Sequence, residues 1–76
     1  MFQTELDFFI KNQDRLVVEH PGKVLAIQGE SILGIFDTPL EAYVETQKNH
    51  KLGTFMLQPC SPGPDAYTIT INTFGR

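Results

Sequence analysis

Gly22-Lys23-Val24-Leu25-Ala26-Ile27-Gln28-Gly29-Glu30-Ser31-Ile32-Leu33-Gly34-Ile35-Phe36-Asp37-Thr38-Pro39-Leu40-Glu41-Ala42-Tyr43 carries the strongest structural signals in the chain. Val24–Ile27 and Ile32–Phe36 are short runs of β-branched and apolar residues, the composition of strands. Gly29 stands at the first central position of a two-residue loop. A type II′ turn needs a positive φ there, which glycine adopts without strain. The stretch therefore predicts a hairpin over 23–36. Hydrophobic residues fall on both faces of its strands, so both are expected to lie centrally in a sheet.

Asp37-Thr38-Pro39-Leu40-Glu41 then reads as a helix start. Thr38 can accept from the Glu41 amide while the Glu41 carboxylate reaches back to the Thr38 amide, a capping box. Pro39 falls at the first helical position, where its missing N–H costs nothing. At about 100° per residue Leu40, Tyr43, Val44 and Gln47 share one arc, expected to face the core, with Glu41, Glu45, Lys48 and Asn49 turned away. Glu41 and Glu45 lie early, and Lys48, His50 and Lys51 late, as the helix dipole favours. Gly53 is the expected stop, giving a helix over 38–52.

Upstream, residues 4–19 predict a first helix with Thr4 as N-cap. Phe2, Leu6, Phe9, Ile10, Gln13, Leu16 and Val17 project into an arc of about 120°, a core-facing stripe. Pro21-Gly22 closes the segment. Gln13 breaks the stripe; hydrogen bonding to a nearby backbone group outweighs a ligand contact as its reading, because buried polar groups are generally satisfied. Gln47 occupies the matching place on the second helix, which raises a polar contact between helices. Phe8 lies outside the stripe, either as a partly exposed aromatic or as an interface anchor.

Downstream, Thr54–Gln58 predicts a third strand, residues 59–66 a loop stiffened by three prolines, and Tyr67–Phe74 a fourth strand. In that last strand Tyr67, Ile69 and Ile71 face one way and Thr68, Thr70 and Asn72 the other. It holds no Pro, Lys or charge, the residues that commonly protect an exposed edge. The expected class is α+β in the order α-β-β-α-β-β: one domain spanning 1–76, a mainly antiparallel sheet, and both helices on one face.

Seventy-six residues approach the lower size at which a core suffices without staples. The single cysteine, Cys60, allows no intrachain disulfide, so oligomerisation is the expected supplementary stabiliser. A net charge of −3 with six Lys and Arg argues against nucleic-acid or anionic-membrane binding. The start of the chain lacks a basic leader and a long apolar run, which points to a cytoplasmic protein.

The succession Phe9-Ile10-Lys11-Asn12-Gln13, Gly22–Ile27, Leu33–Tyr43 and Leu52-Gly53-Thr54-Phe55 resembles a family of small bacterial proteins and domains of unknown function. Its pattern is a short helix, a Gly-Lys-led strand, a second strand and a Thr/Ser-x-x-Glu-Ala helix start. The resemblance covers roughly residues 8–58 and implies the fold but no activity. More distantly, strand–strand–capped helix–strand is similar to HicB-type antitoxins. Those usually carry an extra strand and a Gly-rich segment absent here, and often a DNA-binding extension for which this chain has no room. That likeness would imply a toxin partner and rests on architecture.

Candidate chemistry is sparse. Cys60 lies in the Pro-rich loop, where a backbone could present its thiol, and a nucleophilic role would need His20 or His50 within reach. No paired-ligand spacing marks a metal site. Asp37, Glu41 and Glu45 could pair as carboxylates, but capping and dipole already account for them. The sequence therefore leads to a non-enzymatic binding domain without cofactor, expected to form a homodimer and to bind another protein in some contexts. Phe8, Tyr67, Ile69, Ile71 and Phe74 are the candidate interface, and Cys60, Gln13 and Gln47 the weaker functional candidates. An antitoxin-like regulator, and a small-molecule-binding or hydrolytic domain using the Cys60 loop, are the alternatives.

Overall fold

The structure, a computed structural model, describes residues 2–63, 66 and 71–72. Its elements are α1 (Gln3–Glu19), β1 (Val24–Gln28), β2 (Ser31–Phe36), α2 (Pro39–Thr46), β3 (Met56–Pro59) and β4 (Ile71–Asn72). The class is α+β, in the expected order. The sheet runs β2-β1-β3-β4 with every neighbouring pair antiparallel. Gln28 pairs with Ser31 across the Gly29-Glu30 loop, and Gly29 takes φ +63°. The hairpin therefore forms on the turn its glycine predicts.

Only β1 lies centrally within that hairpin. Val24, Leu25, Ala26 and Ile27 are all buried, flanked by β2 and β3. β2 is an outer strand and is half-exposed along its length, contrary to the expectation that both strands are central. Its register slips between Ala26 and Ile27, where Ile32 and Gly34 are the partners and Leu33 is the extra residue. A bulge of this kind bends an edge away from flat pairing. Beyond it the Phe36 ring lies over Gly34, where a Cβ would come within 2.5 Å of the ring.

The core is split by the sheet into two halves. Leu25, Ile27 and Met56 pack with Phe9 and Leu16 of α1, together with Cys60 and Ala66. Val24, Ala26 and Leu57 pack with Ala42 of α2 and with Phe55. Neighbouring residues on a strand point to opposite faces, so α1 and α2 cover opposite sides of the sheet. The expectation of both helices on one face is thereby corrected. A central strand that is apolar on both faces needs cover on both, and one helix supplies each side.

α1 begins one residue earlier than expected. Phe2 is its N-cap without a side-chain bond, and Thr4 lies inside the helix, so Thr4 does not cap it. The helix ends at His20, whose amide donates to the Leu16 carbonyl. Pro21 and Gly22 (φ +74°) then turn the chain, closed by Lys23 N–H donating to the His20 carbonyl. Pro followed by positive-φ Gly is the residue pattern of a type II turn. Glu5 in the first turn accepts from the Gly29 amide at 2.8 Å, which ties the hairpin tip to α1.

α2 starts where its sequence predicts. Thr38 Oγ accepts from the Glu41 amide at 3.1 Å with Pro39 at the start of the helix. The return bond differs: Glu41 Oε1 accepts from the Asp37 amide, one residue before Thr38. The helix stops at Thr46 rather than running to 52. Asn49 and His50, both indifferent helix formers, donate their amides to the Thr46 carbonyl as the chain leaves the helix. Gly53 (φ +90°) serves the following turn, closed by Thr54 N–H to the Lys51 carbonyl. That bond withholds Thr54 from the ladder, so β3 begins at Met56.

β4 pairs Ile71 with Leu57 and Asn72 with Met56, which sets it at the edge of the sheet. The remainder of the 67–74 segment, with Tyr67, Ile69 and Phe74, lies outside the described residues.

Candidate interaction surface

The face of α2 is rotated from its expected orientation. Ala42 and Thr46, one turn apart, are the residues turned to the sheet. Leu40 is 72 % exposed, Tyr43 41 % and Val44 38 %. Size explains the inversion. The sheet centre beneath the helix is built on Ala26 and the helix contact on Ala42, and two small side chains let backbones approach closely. Larger residues dominate any reading of the apolar arc, yet here they are the ones left outside. Leu40, Tyr43 and Val44 have the i, i+3, i+4 spacing by which a helix presents anchors to a partner.

Around this row the side chains are polar and mostly satisfied within the chain. Glu45 accepts from Lys48 Nζ at 3.2 Å. Gln47 donates to the Val44 carbonyl at 3.1 Å and is exposed. With α1 on the other side of the sheet, the expected parallel between Gln47 and Gln13 is no contact between helices. Asp37 pairs with Lys23. Asp37, Glu41 and Glu45 are thus engaged in capping and surface pairing.

Gln13 does bond backbone, but not nearby in sequence. Its Nε2 donates to the carbonyls of Ser61 and Gly63, both at 2.8 Å. Gln58, fully buried, donates to the carbonyls of Ala66 at 2.7 Å and Pro59 at 3.0 Å. The two glutamines hold the Pro-rich segment against the α1 side of the molecule. Sequence reasoning missed Gln58; its signal was a lone amide at the same strand parity as Met56, in an otherwise apolar run.

Cys60 is not presented to solvent. It is 1 % exposed within the α1-side core, and burial raises its thiol pKa above the ordinary value. Its amide donates to the Lys23 carbonyl at 2.7 Å and its carbonyl accepts from Gly22, which prolongs the β1–β3 pairing. A nucleophilic thiol needs access and a depressed pKa, and this one has neither. His20 and His50 flank the helix ends, with His20 Nε2 3.8 Å from Glu19. Among the described residues no group of three or more His, Cys, Asp or Glu could hold a metal ion.

Phe8 is half-buried and packs on the α1-side core. It also lines a shallow groove of about 390 Å³ with Asp7, Lys11, Asn12 and Glu30. Asp7 already accepts from Gln3, and Asn12 donates to the Phe8 carbonyl. Of the other expected interface residues, Ile71 enters β4 by its backbone.

No described helix is long and apolar enough to cross a membrane. Comparison with protein-family models, curated proteins and solved structures finds no match to this chain.

Proposed function

We propose that this chain is a non-enzymatic interaction domain of the cytoplasm whose partner is a second copy of itself. The observation that carries this reading is the exposed row Leu40, Tyr43 and Val44 on α2, three large apolar side chains at helical spacing; Ile10, Val18, Ile35 and Leu52 are the other exposed large apolar residues among those described. Small domains bury a low fraction of their surface and gain proportionately from a subunit contact. Closed two-fold pairs are the commonest way to make one. The satisfied polar groups around α2 and the buried Cys60 support binding over chemistry as its work.

Light scattering behind size exclusion, from micromolar to sub-millimolar chain, tests it. A mass rising toward twice that of the chain is expected. A monomer throughout that range overturns the reading.

A further inference from the structure

We propose that residues 61–63 form a strap that opens while the rest of the fold stays closed, with the Gln13 side chain as its clasp and the Cys60 thiol uncovered when it lifts. The motion belongs to one chain and needs no second copy.

The pairing of β1 with β3 is prolonged as far as Cys60 and no further. The Cys60 amide donates to the Lys23 carbonyl at 2.7 Å, and its carbonyl accepts from the Gly22 amide at 3.1 Å. Past that point side chains take over. Gln13 Nε2 carries two hydrogens and uses both, donating to the Ser61 and Gly63 carbonyls at 2.8 Å each. Gln58 Nε2 does the same with the Pro59 carbonyl at 3.0 Å and the Ala66 carbonyl at 2.7 Å. One amide therefore pins the two ends of the segment, and the other clasps its middle to α1. Within the segment the Ala66 amide donates to the Gly63 carbonyl at 3.4 Å, a long bond.

The two amides differ in their access to water. Gln58 is fully buried, so breaking its bonds would leave polar groups unpaired in the core. Gln13 is half-buried, and its bond to Gly63 is exposed, so water can take over what it releases. Pro62 has a fixed φ and no N–H, which keeps the middle of the strap stiff and costs it no donor when it lifts. Opening at Gln13 thus breaks two hydrogen bonds, whereas unfolding breaks every ladder of the sheet. Openings that break so little are populated far above global unfolding.

Cys60 is the residue next to the strap and packs with Phe9, Leu16 and Ala66 in the α1-side core. When residues 61–63 swing off α1, the gap opens beside its side chain, while its own ladder bonds stay made. As the chain's single cysteine, it reports the opening without ambiguity.

The probe is the chromogenic disulfide dithiobis(nitrobenzoate), at reagent concentrations where the rate is linear in reagent. The thiolate attacks one of its sulfurs, giving a mixed disulfide and one released coloured thiolate. Gln13→Ala should speed labelling of the native chain about tenfold. Thr38→Ala, which weakens α2 on the opposite side of the sheet, should leave the rate within about twofold. The rate in the unaltered chain should be flat in urea below the unfolding transition, because a local opening exposes little surface. If far-ultraviolet circular dichroism shows that Gln13→Ala loses its helix, Gln13→Met, which keeps the length and removes both donors, takes its place. Equal acceleration by the Gln13 and Thr38 variants, or a rate that climbs with urea from the first addition, would mean that only global unfolding uncovers Cys60 and would overturn the strap. A rate unchanged by loss of Gln13 would overturn its role as the clasp.

Discussion

At the scale of single residues, two side chains bear most on how the Pro-rich segment is held. Gln13 makes two hydrogen bonds to carbonyls of that segment, each worth about 0.5–1.5 kcal/mol net. Gln13→Ala should lower stability by about 1–2 kcal/mol, read as a fall in the urea midpoint. It should also speed proteolytic cutting near Ser61. Cys60 gives a pH signature. Burial holds its thiol neutral in the folded chain above about pH 8.5, where the unfolded chain ionises. Folding then takes up a proton, so this contribution is whole below the ordinary thiol value and is lost as pH rises past it. Urea midpoints from about pH 7 to 10 should fall more steeply for the unaltered chain than for Cys60→Ala. Equal slopes would mean the thiol is not held neutral. The sequence showed that Gln13 would bond backbone, because an amide in an apolar stripe must be satisfied. It could not show which backbone, since the acceptors lie far along the chain. For Cys60 the three prolines suggested presentation, whereas the hydrogen bonds to Gly22 and Lys23 draw it inward.

At the scale of elements, the starting residue of α2 was legible and its facing was not. Thr38, Pro39 and Glu41 form a start signal from local chemistry alone, and the helix begins there. Thr38→Ala removes the side-chain acceptor and should cost about 0.5–2 kcal/mol, visible in the chemical-denaturation midpoint. No change would mean that Thr38 does not bear on the helix start. Which face turns inward depends instead on what the helix lands on. Ala26 and Ala42 admit close approach, and the bulkier Leu40, Tyr43 and Val44 are displaced outward. Periodicity counts hydrophobicity and is blind to that fit. A similar limit affected β2. Its composition matches that of β1, but strand order decides which of two apolar strands is central, and strand order is a long-range property.

At the scale of the whole molecule, the central strand governs where the helices go. Val24-Leu25-Ala26-Ile27 is apolar on both faces, which calls for cover on both sides of the sheet. α1 and α2 meet that requirement from opposite faces, which the expectation of both helices on one face did not provide for. Self-association through the exposed row Leu40, Tyr43 and Val44 is then the central claim to test. Amide chemical shifts of ¹⁵N-labelled chain, followed by heteronuclear correlation spectra on dilution from sub-millimolar to low micromolar, test this residue by residue. The expected result is concentration-dependent shifts concentrated at residues 40–48, with the α1 groove around Phe8 unchanged. Shifts confined to β2, β4 or the Phe8 groove, or no shifts at any concentration, would contradict it.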